Sequence, residues 1–135
     1  MLDRTDQLII KELSANSRMT MKQLGERVHL TGQATSSRVA KLEDMGIIEG
    51  YTLKVNQAKL GLPVHVMIQI FTESPDHRSY HRVIEENAAY IIQNYKVSGE
   101  SCYLVEARFP SNEVLNEFLT VLSSVVSYKV AVVIG

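Results

Sequence analysis

Thr20-Met21-Lys22-Gln23-Leu24-Gly25-Glu26-Arg27-Val28-His29-Leu30-Thr31-Gly32-Gln33-Ala34-Thr35-Ser36-Ser37-Arg38-Val39-Ala40-Lys41-Leu42 holds two helix starts in close succession, and its reading decides the fold of the N-terminal part. Thr20 to Gln23 fits the capping box S/T-x-x-E/Q, in which the threonine accepts from a first-turn amide and the glutamine reaches back to the cap. The helix it opens is short, to about Val28. His29-Leu30 turns the chain, Thr31 caps a longer helix, and Gly46 stands where a left-handed residue ends it. Upstream, Asp3 is the N-cap of a first helix carrying Leu8, Ile9, Ile10 and Leu13, with Ile9 and Leu13 one turn apart on one side. A loop at Ala15-Asn16-Ser17-Arg18 separates it from Thr20.

Helix, helix, tight turn, helix leaves one question: which face of the third helix is free. At about 100° per residue, Thr35, Val39 and Leu42 fall within roughly 60° of one another and can pack on the first two helices. Gln33, Ser37, Ala40 and Asp44 centre the opposite face, with Ser36 and Lys41 at its sides and Arg38 nearer the buried edge. In a helix-turn-helix the N-terminal residues of the second helix meet base edges in the major groove, which suits Gln33, Ser36 and Ser37. Arg18, Lys22, Arg38 and Lys41 flank that groove and suit phosphates. The bland alternative is a solvated helix in a small bundle.

The chain has 135 residues, enough for one domain or for two small ones that each complete a core against a neighbour. It is 45% hydrophobic and 21% charged, which excludes a disordered tail. Its 14 basic and 15 acidic residues divide evenly about Gly50, so nucleic-acid binding has to come from local arrangement and not from bulk charge. The longest apolar runs, such as Val130 to Ile134, are far short of a membrane span, and the charged residues of Met1 to Asp6 do not resemble a signal peptide. A cytoplasmic protein without membrane association is expected. The one cysteine, Cys102, excludes an internal disulfide and a cysteine zinc site. No nucleophile-base-acid order, phosphate-cradling glycine loop or paired-carboxylate signal stands out, so neither an enzyme nor a cofactor is expected. His77 and His81 are one helical turn apart but lack a third ligand, and read as polar side chains facing solvent.

After Gly46 the period changes. Ile47 to Val55 reads as a short hairpin or an extended connector, Asn56 to Gly61 as a brief capped turn, and Leu62-Pro63 as a boundary. Val64 to Phe71 then alternates as a strand with neither face fully wet. Ser74-Pro75 is expected to open a helix with Tyr80, Val83, Ile84 and Asn87 at helical spacing. Two strands follow, Ile91 to Ser98 and Tyr103 to Phe109, joined across Gly99-Glu100-Ser101-Cys102. Ser111 caps a helix with the stripe Val114, Leu115, Phe118, Leu119 and Leu122, and Tyr128 to Ile134 is a last strand. The order βαββαβ is the ferredoxin-like arrangement, a four-stranded antiparallel sheet with both helices on one face. The bare face, with Met67, Phe71 and Leu104, asks for the same face of a second subunit, so a homodimer is expected.

Four stretches together resemble the Lrp/AsnC (feast/famine) transcriptional regulators over nearly the whole chain. Leu2-Asp3-Arg4-Thr5-Asp6 with Ile9, Ile10 and Leu13 is similar to the family's opening helix. Arg18-Met19-Thr20 through Leu24, with Arg38 to Glu43 and Gly46-Ile47-Ile48, is similar to its helix-turn-helix, and Tyr51 to Leu62 to its linker. Val97-Ser98-Gly99 with Tyr103 is similar to the loop of its effector-binding half. The resemblance implies an α+β chain: a winged helix-turn-helix domain over 1–50, an extended linker over 51–62, and a ferredoxin-like, RAM-type domain over 63–135 that dimerises and takes an effector.

It further implies a regulator that binds imperfect palindromes in double-stranded DNA as dimers and often octamers, and that senses a small molecule, commonly an amino acid, near the glycine loop. Arg38 and Lys41 match strongly basic family positions, while Gly32 replaces a usual proline and Ala40 a frequent basic residue. In the loop, Gly99-Glu100-Ser101-Cys102-Tyr103 are the effector candidates; the family pattern Gly-Asp-x-Asp-Tyr places its second acid where this chain has Cys102. A plain turn is the competing reading there. The chain's end at Gly135 is earlier than in most members, which favours the dimer over larger assembly. Two other readings stay open: an architectural DNA-bending protein of low sequence specificity, and an effector-binding oligomer without DNA function.

Overall fold

The computed structural model describes all residues from Met1 to Gly135, in two compact units, Met1–Lys54 and Val55–Gly135. In the first, α1 (Arg4–Ala15), α2 (Met21–Val28) and α3 (Gly32–Asp44) begin at caps written in the sequence. The side chains of Asp3, Thr20 and Thr31 accept from the backbone N–H groups of Asp6, Gln23 and Ala34, and Gln23 closes its box by accepting from the Thr20 N–H at 3.0 Å. Gly46, at φ +74°, lets the chain leave α3. Ile9, Leu13, Leu24, Val28, Val39 and Leu42 form one apolar core. Beyond it, residues 47–55 are the extended connector, without a strand ladder.

Two backbone features set the crossing of α2 and α3. His29 adopts the left-handed conformation at φ 62°, an uncommon state for a residue with a Cβ, and so turns the chain sharply at the end of α2. Gly25 faces the crossing: a Cβ there would lie 2.5 Å from the Leu30 carbonyl oxygen and 2.9 Å from Thr35 Oγ1. Fully buried Thr35 meets its hydroxyl's need locally, donating to the Thr31 carbonyl at 2.8 Å.

In the second unit β1 (Val64–Phe71), α4 (Arg78–Glu86), β2 (Ile91–Lys96), β3 (Tyr103–Phe109), α5 (Asn112–Ser123) and β4 (Ser127–Val132) follow the βαββαβ order. The sheet runs β2-β3-β1-β4 and is antiparallel throughout. Val66, Ile68 and Ile70 of β1 and Val105, Ala107 and Phe109 of β3 pack with Tyr80, Val83, Leu115, Phe118 and Leu122 of the helices. The register places Met67 beside Glu106 and Ala131, and Gln69 beside Leu104 and Lys129, on the opposite face. That face is mixed, with His65 Nε2 2.6 Å from Glu106 Oε2 between partly buried apolar side chains. No helix is long and apolar enough to cross a membrane.

Three element boundaries differ from the sequence reading. α4 starts at Arg78 and not after Ser74-Pro75, because Ser74 Oγ instead accepts from the Asp76 N–H, and Asp76 takes the backbone and guanidinium N–H groups of Arg78. β2 stops at Lys96, after a register shift between Ile91 and Gln93. β4 spans Ser127–Val132, one residue earlier at its start and two shorter at its end.

Gly25→Ala places a methyl group against a backbone oxygen that cannot move aside, and about 1–3 kcal/mol of overpacking outweighs the gain of under about 1 kcal/mol in helix propensity. Chemical denaturation of the chain is expected to show that loss in its midpoint, without loss of helix content at zero denaturant.

Candidate nucleic-acid interface and effector cleft

α3 buries Thr35, Val39 and Leu42 and exposes Gln33, Ser36, Ser37, Ala40, Lys41 and Asp44. The polar groups at its first two turns, Gln33, Ser36 and Ser37, therefore stand clear of the protein. Lys22 lies at the same end, since a Cβ on Gly32 would come within 3.6 Å of the Lys22 Cα. Arg18 is exposed in the turn before α2, where its backbone N–H donates to Asn16 Oδ1 at 3.1 Å. Ion pairs in this unit involve only Arg27 with Glu12 and Arg38 with Asp3 and Asp6, which leaves the charges of Arg18, Lys22 and Lys41 free.

Arg38 is placed differently from those three. Its Nη1 donates to Asp3 Oδ2 and, at 3.2 Å, to Asp6 Oδ1. The same carboxylates cap α1: Asp3 Oδ1 accepts from the Asp6 N–H at 2.8 Å, and Asp6 Oδ2 from the Asp3 N–H at 3.3 Å. Asp6 is buried, one of two polar residues so placed in the chain. The Asp6 amide, and then the Arg38 guanidinium, hold the Asp3 carboxyl below its ordinary value of 3.8; the hydrogen bonds Arg38 donates to Asp3 and then Asp6 hold it still more firmly protonated. Sequence reasoning assigned Arg38 to phosphate without seeing these partners, 35 and 32 residues away.

In the second unit the loop after β2 is anchored at both ends. Gly99 takes φ +120°, the Val97 N–H donates to the Cys102 carbonyl at 3.0 Å, and the Cys102 N–H donates to the Ile70 carbonyl at 2.7 Å. Glu100 and Cys102 line a cleft of about 610 Å³, opposite Phe71, Thr72 and Glu73 and the turn from Ser123 to Ser127. Gly99 and Ser101 lie outside its lining. Tyr103 points the other way, into the core, stacked on Tyr80 with ring centroids 4.6 Å apart. Its hydroxyl sits 2.7 Å from His77 Nδ1 and 3.3 Å from His81 Nε2, so both histidines engage the core tyrosine. Glu73 and the 123–127 turn were missed by sequence reasoning, because the cleft is assembled from three separate segments and no local pattern marks it.

The family model described as winged helix-turn-helix DNA-binding matches residues 2–49, and the one described as the Lrp/AsnC ligand binding domain matches residues 65–135. The chain is 54% identical to the HTH-type transcriptional regulator LrpA of Bacillus subtilis, over all of this chain and 99% of that protein. Among solved structures, Bacillus subtilis LrpC superimposes with a TM-score of 0.91 at 32% identity, covering 100% of this chain and 96% of that one. A transcriptional regulator of Neisseria meningitidis, solved as a complex with L-methionine, gives a TM-score of 0.89 at 26% identity over 100% and 91% of the two chains.

The lowered Asp3 value has a sign that can be checked. A carboxylate depressed on folding stabilises the fold above its unfolded value and loses that contribution as pH falls through the folded value. Stability is therefore expected to fall below pH 3.8 through this group, and Asp3→Asn is expected to flatten that acid limb. Denaturant titrations of both proteins at a series of pH values, neutral to strongly acidic, measure the difference; parallel curves would remove Asp3 from the account.

Proposed function

We propose a mode of action for this chain, which belongs to the Lrp/AsnC family of transcriptional regulators. It is a DNA-binding regulator with an effector-binding domain, in a non-enzymatic family. In our reading residues 1–50 bind duplex DNA, 51–62 link, and 63–135 dimerise and take the effector, in the cytoplasm where the chromosome is. Gln33, Ser36 and Ser37 meet base edges in the major groove, and Arg18, Lys22 and Lys41 meet phosphates on either side. The observation that carries this is the pairing of an exposed polar turn at the start of α3 with three flanking cations that have no protein partner. Arg38 stands beside them as a positioning residue that ties α3 to the start of α1.

One helix-turn-helix makes too few contacts to select a site, whereas two copies about 34 Å apart read both halves of a palindrome at once. We place the dimer on the open sheet face around Met67 and Leu104, and leave octamer formation to solution measurement. The effector we propose is an amino acid, supported by the L-methionine complex of the Neisseria meningitidis regulator. Since Cys102 cannot bind an ammonium group, Glu100 and Glu73 on the cleft supply the carboxylates that would. Bound there, the effector shifts assembly or head spacing only to the extent that it prefers one state.

Lys41→Ala is expected to weaken binding to every duplex and to lower the salt slope by about 0.9 per reading head, while Gln33→Ala relaxes preference at one base position by about 1–3 kcal/mol. Binding to promoter and random duplexes over a salt series reads both, and equal affinity for the two duplexes would instead mark an architectural protein. For the dimer, Met67→Glu is expected to yield monomers in sedimentation; an unchanged oligomer rejects that face.

A further inference from the structure

We infer that Asp3 and Asp6 withhold Arg38 from DNA, so that these two carboxylates keep one cation out of the reading head's sequence-independent contacts and lower its affinity for every duplex. The inference rests on the assignment of α3 as the reading helix. Arg38 shares a shallow cleft with Ser37 and Lys41, two of the proposed DNA contacts, so its guanidinium lies within the region a phosphate backbone would approach. What the backbone meets there is not a free cation. One guanidinium and two carboxylates sum to a single negative charge, and Nη1 donates to both carboxylates, which fixes the guanidinium against the start of α1.

The two Asp partners are not adaptable side chains that could release Arg38 cheaply. Each is fixed by the capping box of α1, Asp3 accepting from the Asp6 N–H and Asp6 from the Asp3 N–H, and Asp6 is buried. Releasing Arg38 to a phosphate would leave a buried carboxylate without its counter-charge, an uncompensated state that is strongly disfavoured. Phosphate contacts add affinity for any sequence and carry no information about bases. A cation removed from that set therefore lowers binding to every duplex alike and leaves site choice to the base contacts. With a chain that has no excess of basic residues overall, each phosphate contact counts.

Asp3→Asn/Asp6→Asn tests this, because asparagine keeps the shape of both side chains and caps a helix about as well as aspartate. Relative to the parent, the double variant is expected to gain about 0.9 in salt slope per reading head on random duplex, which is about 3.5-fold more affinity lost between about 50 and 200 mM salt. Its affinities for promoter and random duplex are expected to rise together, with their ratio at the parent value. Arg38→Ala in the parent, its fold checked by circular dichroism because it strands the Asp6 carboxylate, leaves the slope on random duplex unchanged, and in the double variant, where no carboxylate is stranded, it returns the slope to the parent value. Should the double variant not fold, Asp3→Asn alone, compared with and without Arg38→Ala, is expected to show the same direction. An Arg38→Ala parent that itself loses about 0.9 in slope would overturn the inference, as would a double variant with unchanged slope. Lys41→Ala in the same series separates the two levels: normal loss there with a failed Arg38 pattern overturns this inference alone, and no loss there overturns the reading helix and this inference together.

Discussion

The reading head depends on a crossing with no room in it. α2 and α3 meet where Gly25 faces the Leu30 carbonyl and the Thr35 hydroxyl, and one added methyl group would stand 2.5 Å from a backbone oxygen. Close approach of two helices buries Leu24 and Val28 against Val39 and Leu42, which is the apolar gain that holds three short helices together. At 8 residues α2 is too short to persist alone, so its stability comes from this packing. The same crossing decides which face of α3 is left outside, and hence that Gln33, Ser36 and Ser37 are presented together. Chemistry at the surface follows from a missing side chain in the interior.

What was legible in the sequence is what depends on neighbours a few residues apart. Asp3, Thr20, Thr31 and Ser111 cap where their spacing says they should, since an N-cap bond closes within three residues. The alternation of β1 is legible for the same reason. Ser74-Pro75 was an equally good local signal and was overruled: the Asp76–Arg78 pair and the His77 contact to Tyr103 delay the helix until Arg78, and the second of these spans 26 residues. Gly25 left a trace that could have been followed, a glycine inside a helix where alanine is favoured by about 1 kcal/mol.

The proposed contact residues divide along the same line. Exposure of Gln33, Ser36, Ser37 and Lys41 follows from one helix and its period, so the order of residues alone declares it. The pairing of Arg38 with Asp3 and Asp6 joins α3 to the start of α1, and no local period declares that. In the second unit, the loop candidates separate once the sheet exists: Glu100 and Cys102 line the cleft, while alternation along β3 turns Tyr103 toward Tyr80 and the core. Sequence adjacency in a loop is a poor guide to shared function when a strand begins inside it.

The turn between α2 and α3 is short, and its first residue, His29, is locked in a left-handed conformation by the hydrogen bond of its neighbour, the Leu30 N–H on the Gly25 carbonyl at 2.9 Å. Such a joint has no soft torsion to absorb torque. On the proposed dimer, such a head would be tilted or translated as a unit, with its contact surface kept. In the mode of action proposed above, an effector therefore changes where the heads are carried and leaves the lettering each one accepts unchanged.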